Sequence, residues 1–340
     1  MGRANRTGLT IRWNVSASPM SGKLPARALI ALAFASVYLC WGATYTAMSV
    51  GVHLLPATIL AGTRMLAGAF LMLSFCAIRG KQLVYSRGIM ARLALIGILL
   101  LFGGNIGLVW SEQYVASGLA ALLVAVMPLY VALIERLLPG GERLRGRGVI
   151  GLFLGLLALA ALLWPSIRAA SAINHHGASI QLMAAVVVLL GALSFAGGSV
   201  MFRRSQLPVD PLVAAGWEML AAGLCNLSIA TVGGQWPHAV WNMTSIGSIG
   251  YLVLFGSLLG FSCYIWLLHH VPVAKVATYA FVNPVIAVIL GALILGEHLR
   301  TTEYVGMVMV ICAVALVISS QTQSGRSAAE IEAAPVEHEA

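Results

Sequence analysis

Residues 61–67 read AGTRMLA, and residues 215–221, which lie 154 positions further on, read AGWEMLA. Three more matches keep nearly the same offset, namely GERLR at 141–145 with GEHLR at 296–300, Pro128 with Pro284, and Gly151 with Gly306. One such match could arise by chance, but four in order at offsets of 154–156 residues indicate a duplicated unit. The fold therefore depends on what one copy of this unit forms.

The amino-acid composition places the unit in a membrane. Of the 340 residues, 60% are apolar and 9% are charged, whereas an average soluble domain is about 45–50% apolar and about 25% charged. So few charges cannot keep a chain of this length in solution. The net charge of +9 does not indicate a nucleic-acid partner, because the Lys and Arg residues form short islands between long apolar runs, as membrane-topology signals do.

Ten stretches of the chain are long and apolar enough to cross a bilayer, which takes about 20 helical residues. They comprise residues 28–52, 56–78, 93–111, 113–134, 148–167, 178–202, 211–232, 245–268, 272–295 and 303–319. The runs lack the alternation of polar and apolar residues that marks transmembrane barrel strands. We therefore predict an all-α integral membrane protein with ten transmembrane helices.

Each copy of the unit contains five of these helices, and an odd number makes two tandem copies cross the membrane in opposite directions. We predict two inverted five-helix repeats at residues 28–167 and 178–319, joined by an external linker at 168–177. Residues 1–27 and 320–340 are predicted to be disordered cytoplasmic tails, the second of them acidic. Secondary transporters are commonly built from inverted repeats, with the substrate site near the membrane midplane at the repeat interface.

The distribution of basic residues predicts the orientation. With a cytoplasmic N-terminus, sixteen Lys and Arg residues fall on inner segments and only two, Arg168 and Arg300, fall on outer loops. This bias follows the positive-inside rule. Ten spans then put both termini of this multi-pass membrane protein in the cytoplasm.

Three sequence features resemble the EamA family of the drug/metabolite transporter superfamily. They are the two GExLR turns at 141–145 and 296–300, the run VATYAFVNP at 276–284 in the ninth span, and the run WGATY at 41–45 in the first span. The resemblance covers about residues 28–320. It implies an inner-membrane permease that exports metabolites, often amino acids or drug-like molecules, and it leaves the substrate open.

Arg64 and Glu218 occupy equivalent positions of the repeated motif inside predicted spans, where a charge is costly and usually faces the bundle interior. Helix rise places them within about 8 Å of each other in depth. One interpretation is a substrate cavity in which Arg64 binds a carboxylate and Glu218 binds an amine or a coupling proton. The other is a buried Arg–Glu pair that only locks the two halves together.

The ninth span carries a polar stripe, because Lys275, Tyr279 and Asn283 recur every four residues and share one face of a continuous helix. These residues are candidates for lining the cavity. Alternatively, Lys275 anchors the helix end at the membrane surface, and Asn283 satisfies backbone groups that Pro284 leaves free.

Five aromatic residues complete the candidate substrate-binding set. Tyr38, Trp41 and Tyr45 share a face of the first span and suit an amphipathic or aromatic cargo, although helix packing explains the same pattern. Trp110 lies near the end of the third span, and a place in the aromatic belt at the membrane surface is the alternative to a role in substrate binding. Trp217 belongs to the repeated motif.

No cofactor or metal is predicted. The five cysteines lie in apolar runs without a C-x-x-C pair, and the loop pairs His175-His176 and His269-His270 have no further ligands nearby. Because no P-loop motif occurs, we expect passive or ion-driven transport. The leading hypothesis is a secondary transporter, not an enzyme, that binds a small molecule and a coupling proton and has no obligatory protein partner. The alternatives are an integral membrane enzyme acting on a lipid-linked substrate and a channel.

Overall fold

The computed structural model describes residues 26–139, 149–151, 153–158, 160–161, 164, 176–276, 278–297, 301, 304–313 and 315–316. All regular secondary structure in these residues is helical, which confirms the predicted all-α class. The predicted tails at 1–27 and 320–340 and the predicted linker at 168–177 lie outside the described residues, except at 26–27 and 176–177, where helices begin.

The described residues form a series of helices. In chain order they are α1 (Ala26–Val52), α2 (Ala57–Ile78), α3 (Arg87–Ser111), α4 (Ser117–Leu137), α5 (Val149–Ala158), α6 (His176–Ser205), α7 (Pro211–Val232), α8 (Met243–His270), α9 (Tyr279–Leu290) and α10 (Tyr304–Ala313). Within the described residues, seven of them (α1–α4 and α6–α8) are long and apolar enough to cross a membrane. Helices α5, α9 and α10 lie in the other three predicted spans but are shorter over their described residues, so the number of ten spans stays a prediction.

The ninth predicted span is not one continuous helix. A single turn at Val273–Val276 comes first, and α9 begins at Tyr279. Between them, Thr278 closes the turn on the Lys275 carbonyl, to which its N–H donates at 3.2 Å and its hydroxyl at 2.7 Å. These contacts between residues three apart replace the bonds between residues four apart that would carry the helix onward. The expected stripe of Lys275, Tyr279 and Asn283 is therefore interrupted after its first member.

Helices α2 and α7 form the most extensive helix–helix contact among the described elements, and they run antiparallel. Gly62 of α2 receives the Leu227 side chain of α7, and Gly216 of α7 receives the Leu73 side chain of α2. A Cβ atom at Gly62 would lie 2.5 Å from Leu227 Cδ2, and one at Gly216 would lie 2.7 Å from Leu73 Cδ2. Only glycine allows this close approach, which supplies the packing that holds helices together in lipid.

Two of the long helices contain a π-helical segment. It covers Ile98–Gly103 in α3 and Leu252–Phe261 in α8, and the first residues of the two segments are 154 positions apart. A π segment shifts the backbone hydrogen-bond pattern of a helix and is frequent at functional sites. In α3, the Ser194 hydroxyl of α6 donates to the Leu99 carbonyl at 2.8 Å and thereby ties the segment to its neighbour.

The two ends of the bundle differ in charge. One end, which we call the basic end, holds the described Lys and Arg residues other than Arg64, namely Arg27, Arg79, Lys81, Arg87, Arg92, Arg136, Arg203, Arg204 and Lys275. Lys81 pairs there with Asp210 at 2.8 Å, and Arg204 pairs with Glu135. The first pair joins the connection after α2 to the N-cap of α7, so it holds the central helix pair together at this end.

At the opposite end, two hydrogen bonds between uncharged groups join segments that are distant in the sequence. The Val240 N–H donates to the Leu54 carbonyl at 2.9 Å, and the Thr58 hydroxyl donates to the Gln235 side chain. Each end of the bundle also has its own hydrophobic core cluster, and each cluster draws on helices from both halves of the sequence. The two halves are therefore packed into each other along the whole bundle.

Replacement of Gly97 by alanine should destabilise the bundle. A methyl group there would lie 2.5 Å from the Cα atom of Glu218 in α7, and backbone atoms cannot turn aside as a flexible side chain can. Overpacking costs about 1–3 kcal/mol in a tightly packed core. We therefore expect Gly97→Ala to unfold at lower denaturant than the wild type in a detergent-based unfolding titration.

Gly197→Ala is the matched control for this substitution. A Cβ atom at Gly197 would meet no neighbouring atom within 4 Å, and alanine favours a helix over glycine. The control should unfold at or slightly above the wild-type midpoint. Equal midpoints for the two variants would contradict the close contact between α3 and α7.

Candidate functional site

A cavity lies in the middle of the bundle, between the two core clusters. Seven helices line it, namely α1, α2, α3, α4, α6, α8 and α9. Its wall includes Met65 and Phe261 from the cluster at the basic end and Tyr45 and Met48 from the cluster at the opposite end. Both halves of the sequence therefore enclose a common space.

Aromatic rings form the part of the wall around Trp41. The Trp41 ring meets Tyr279 edge to face with ring centroids 5.1 Å apart, and it meets Phe195 in the same manner at 6.1 Å. Its Nε1 donates to the Gly256 carbonyl at 3.1 Å, inside the π segment of α8. Edge-to-face pairs and a directed hydrogen bond fix ring orientation, so this side of the cavity keeps a defined shape.

Methionine side chains cover much of the remaining apolar wall. Met48, Met65 and Met127 come from α1, α2 and α4. Met127 follows an interruption of α4 at residues 125–126, and its sulfur accepts a hydrogen bond from the Tyr279 hydroxyl at 2.8 Å. Methionine is flexible and polarisable, so this side of the cavity can change shape more readily than the aromatic side.

Arg64 supplies the positive charge of the cavity wall. It is 6% exposed, and its Nε and Nη1 atoms have no hydrogen-bond partner among the described residues. Neither of the two ion pairs found in the described part of the chain involves it. A buried guanidinium with free donors is costly, and a guanidinium binds carboxylate or phosphate through two parallel hydrogen bonds. The cavity wall therefore contains a guanidinium with unsatisfied hydrogen-bond donors.

Other polar groups of the wall offer hydrogen-bonding positions. Asn105 of α3 and Ser257 of α8 line the cavity, and Asn105 Oδ1 and Ser257 Oγ have no partner within the described structure. Asn283 is held in place, because its Nδ2 donates to the carbonyls of Tyr279 at 3.3 Å and Tyr38 at 3.2 Å once the amide is oriented by these neighbours. The wall therefore has acceptors for the donors of a ligand as well as a guanidinium for its anion.

Glu218, the repeat equivalent of Arg64, does not line the cavity. It is fully buried, its backbone packs against Gly97 of α3, and both of its carboxyl oxygens lack a hydrogen-bond partner in the described chain. The reason for its separation from Arg64 is angular. Each charge lies two residues beyond the glycine (Gly62 or Gly216) that faces the α2–α7 contact, which is about 200° around a helix. Both charges therefore turn away from the contact, and they form no ion pair.

The other sequence candidates divide between the cavity and the ends of the bundle. Those that line the cavity are Trp41, Tyr45, Tyr279 and Asn283. Tyr38 lies outside the wall, with its hydroxyl 2.7 Å from Thr278 Oγ1. Lys275 is exposed at the basic end, because the break at Thr278 separates it from α9.

Trp110 and Trp217 also lie outside the cavity wall. Trp110 lines a separate cleft at the opposite end and packs against Tyr114 with ring centroids 5.0 Å apart. Trp217 Nε1 donates to the Leu83 carbonyl at 2.8 Å, in the connection that follows α2. Both indoles thus contact structural partners near the ends of the bundle.

Several wall residues were not among the candidates taken from the sequence, namely the three methionines, Phe195, Asn105 and Ser257. The repeat offset was a usable signal for Phe195, which lies 154 residues after Trp41. Asn105 is a lone polar residue within a predicted span, and such a residue fits a helix–helix hydrogen bond equally well. A methionine in an apolar run carries no sequence signal of this kind.

At the opposite end, Glu297 connects the two halves of the sequence. Its carboxylate follows α9 and accepts hydrogen bonds from the Ser117 N–H at 3.0 Å, the Ser117 hydroxyl at 2.7 Å and the Gly118 N–H at 3.5 Å. These N–H groups open α4, so Glu297 caps the N-terminus of that helix. Glu142, in the other GExLR turn, lies outside the described residues.

Comparison with known proteins gives matches over most of the chain. The model of the EamA-like transporter family matches residues 28–164 and 182–319. The chain is 36% identical to the inner membrane transporter YedA of Escherichia coli (strain K12) over 285 residues, or 83% of this chain and 88% of YedA. It is also 22% identical to another protein of that strain, which is named "Probable amino-acid metabolite efflux pump". That match extends over 293 residues, or 81% of this chain and 90% of the other protein.

A solved crystal structure has the same fold. It matches with a TM-score of 0.62 at 19% identity and covers 87% of this chain and 99% of that chain. The family model and the relatives also confirm the family resemblance inferred from the GExLR turns and the runs of the first and ninth spans. Apolar membrane-length helices, a central cavity and these matches lead to the same conclusion: the chain is a membrane transporter that belongs to the EamA-like family.

Proposed function

We propose that the protein is a secondary active transporter that exports amino acids or other small amphipathic metabolites through its central cavity. The cargo carboxylate binds Arg64, and the apolar part of the cargo packs against Trp41 and Tyr279. The observation that carries this proposal is the buried Arg64 guanidinium, whose Nε and Nη1 are unpaired in the wall of a cavity that is otherwise largely apolar.

The chemistry of the cavity wall suits such a cargo. Small-molecule pockets commonly have apolar walls with a few fixed polar groups, and this cavity has a largely apolar wall with Arg64, Asn105 and Ser257 among its polar groups. A contact between guanidinium and carboxylate is stronger in a dry site than in water. Asn105 Oδ1 and Ser257 Oγ are free to accept hydrogen bonds from an ammonium or hydroxyl group of the same cargo. An amino acid with an apolar side chain meets all of these conditions.

The relatives support transport over the two alternative functions. YedA is named an inner membrane transporter, and the other Escherichia coli relative is named for amino-acid metabolite efflux. These names favour a carrier over a membrane enzyme for lipid-linked substrates and over a channel. We infer export of amino acids for this chain on two grounds, namely the name of the second relative and the Arg64 guanidinium in the cavity wall, which can bind a carboxylate.

Ten helices in two inverted repeats are the architecture we propose for this transport. The α2–α7 contact supports it, because Gly216 and Leu227 lie 154 residues after Gly62 and Leu73, and each glycine receives the leucine of the other helix. Such a self-complementary contact is what a two-fold axis produces. The π segments of α3 and α8 begin 154 residues apart, which is also the offset of the repeated motif, and the family model matches each half of the chain. Both observations support the same architecture.

Alternating access then follows from rocking one repeat against the other. Two contacts between the halves are placed to open in turn. At the opposite end the Glu297 carboxylate caps α4 through Ser117, and toward the basic end the Tyr38 hydroxyl contacts Thr278. We propose that the first contact breaks when the cavity opens at that end and that the second breaks when it opens toward the basic end.

The proposed orientation puts the basic end in the cytoplasm. The described Lys and Arg residues other than Arg64 lie at this end, as the positive-inside rule requires of a cytoplasmic face. Both termini are then cytoplasmic, and the linker at 168–177 between the repeats at 28–167 and 178–319 is external. YedA, an inner membrane transporter, supports the same membrane for this chain.

Removal of the Arg64 guanidinium should abolish most transport of carboxylate cargo without loss of the fold. We expect Arg64→Gln to lower counterflow of radiolabelled L-phenylalanine in proteoliposomes by about 10- to 150-fold, since a hydrogen bond to a charged group contributes about 1.5–3 kcal/mol. Arg64→Lys keeps the charge but loses the two parallel hydrogen bonds, so an intermediate loss is expected. Size-exclusion chromatography in detergent checks that each variant is folded.

Lys275→Gln is the matched control, because it removes a cation that lies outside the cavity wall. It should leave counterflow unchanged. Phenethylamine has the ring and amine of L-phenylalanine without the carboxylate, so the wild type should carry it poorly and Arg64→Gln should reduce that movement no further. If L-phenylalanine and a panel of other amino acids move as fast in folded Arg64→Gln as in the wild type, the role assigned to Arg64 is wrong.

The orientation is testable with single cysteines at the two ends. In a background in which the five native cysteines are replaced by serine, Gln82→Cys introduces a thiol at the basic end and His238→Cys introduces one at the opposite end, both at exposed positions. A membrane-impermeant maleimide added to intact cells should label the His238→Cys variant. It should label the Gln82→Cys variant only after permeabilisation, and the reverse pattern would contradict a cytoplasmic basic end.

A further inference from the structure

A groove enters the surface of the bundle at the basic end, between α1 and α8. It is separate from the cavity, because no described residue lines both. The groove follows α1 from Leu29 to Ser36 and α8 from His270 to Ser262, which is a length of about 10–12 Å at 1.5 Å per helical residue. It therefore runs from the membrane surface into the hydrocarbon layer, in the direction in which a phospholipid lies.

The deeper part of the groove has an apolar edge and a floor of small side chains. Leu29 and Leu32 form the edge on α1 and are 44% and 52% exposed. Exposed apolar side chains of a membrane helix contact lipid tails. Ala33, Ser36 and Ser262 lie in the floor, and their small size leaves a recess between the two helices. An acyl chain of the surrounding bilayer fits such a recess.

The rim of the groove carries an ion pair that is only partly covered. Lys81 Nζ lies 2.8 Å from Asp210 Oδ2, and the two side chains are 29% and 34% exposed. Asp210 Oδ1 accepts a hydrogen bond from the Leu212 N–H at 3.0 Å, as the N-cap of α7. An ammonium group has three donors, and each carboxylate oxygen has two lone pairs. Each member of the pair can therefore bind a ligand without leaving its partner.

His270 adds a second acceptor to the rim. Its ring stacks on Trp266 with ring centroids 4.1 Å apart, and its Nδ1 lies 2.8 Å from the Trp266 carbonyl. A carbonyl only accepts hydrogen bonds, so Nδ1 donates, and Nε2 of the neutral ring is left as an acceptor. The rim thus presents one cation and two acceptors, which match a ligand that carries both a phosphate and an ammonium group.

The ion pair is specific to this end of the bundle. The positions 154 residues away from Lys81 and Asp210 are Gln235 and Pro56, which line a cleft at the opposite end. The Thr58 hydroxyl donates there to the Gln235 side chain, so an uncharged hydrogen bond joins the corresponding segments. The fold therefore does not require a charge pair at this place, and the two charges are available for a separate role.

We propose that the groove binds a zwitterionic phospholipid with a primary ammonium group, of the phosphatidylethanolamine type. The lipid phosphate accepts hydrogen bonds from Lys81, the ammonium donates to Asp210, and one acyl chain lies along Leu29 and Leu32. Two other phospholipid classes match the rim less well. Phosphatidylcholine has methyl groups in place of the N–H donors, and phosphatidylglycerol has no cation to face the Asp210 carboxylate. The site depends neither on the identity of the cargo nor on the direction of transport.

Native mass spectrometry of the delipidated protein in detergent tests the headgroup. With the three lipids present at equal concentration and with the same acyl chains, the wild type should retain one phosphatidylethanolamine molecule. Its preference over either competitor should be about two- to fivefold, as for a partly exposed ion pair. Asp210→Asn removes the charge but keeps a good N-cap residue for α7, so the preference over phosphatidylcholine should fall toward one and phosphatidylglycerol should gain.

Glu135→Gln is the matched control for the headgroup test. It breaks an ion pair of the basic end that lies outside the groove, so the lipid preference should stay as in the wild type. Lys81→Gln places at the rim the residue type that the second half has at the equivalent position, and it should weaken phosphatidylethanolamine and phosphatidylcholine alike, because both lose the phosphate contact. Equal binding of the three lipids by the wild type would overturn the headgroup assignment.

The position of the site is tested with a bulky side chain on α1. Ser36→Phe fills the floor of the groove, whereas Ala35→Phe adds the same ring at an exposed position outside it. The first variant should lose the retained lipid and the second should keep it. If Ser36→Phe does not fold, Lys81→Gln decides the position from the rim. Lipid retention at the wild-type level in folded Ser36→Phe or in Lys81→Gln would show that the lipid binds elsewhere.

Two further readings of the same spectra identify the occupant. Glycerophosphoethanolamine has the headgroup without acyl chains, so even a large excess should leave the bound lipid in place. Its displacement of the lipid would overturn the assignment of the apolar floor to an acyl chain. A dimer that holds no lipid would assign the groove to a second copy of the chain and would overturn the proposal.

Discussion

The close contact between α2 and α7 is the interaction on which the rest of the bundle depends. No hydrophobic force draws helices together in lipid, so leucine side chains seated over glycines must hold this pair. The contact fixes the rotation of each helix as well as its distance, because Gly62 and Gly216 must face the partner. Arg64 is thereby turned toward the cavity, and Glu218 remains outside it with its backbone against α3. A packing contact thus decides which of two equivalent charges lines the cavity.

The helical class and the seven long helices could be predicted from the sequence, because about 20 apolar residues in lipid have few other stable forms. The rotation of each helix about its own axis and the local breaks in the helices could not be predicted. Trp41 and Tyr45 reach the cavity as expected, whereas Tyr38, one turn nearer the basic end, bonds with Thr278 instead. That same threonine ends a helical turn through hydrogen bonds to a carbonyl, which the spacing of polar residues does not encode.

The residues that the sequence left out share a physical cause. In a helix that is apolar on all sides, a methionine that lines a cavity has the same neighbours in sequence as one that faces lipid. Glu112 lies one position beyond the apolar run at 93–111, where a charge ordinarily reaches water. The fold nevertheless buries this side chain, which is 2% exposed. Burial of this kind is a property of assembly and has no local signal.

The cap that Glu297 places on α4 also imposes a sequence of events on synthesis. Ser117 and Glu297 are 180 residues apart in the chain. A ribosome adds about 5–20 residues per second, so the first N–H groups of α4 wait about 9–36 s for their acceptor. Tyr38 waits longer for Thr278, which lies 240 residues later. During this interval, water or lipid headgroups at the membrane surface must satisfy these groups. The early helices therefore complete their polar contacts only as the last membrane segments leave the ribosome.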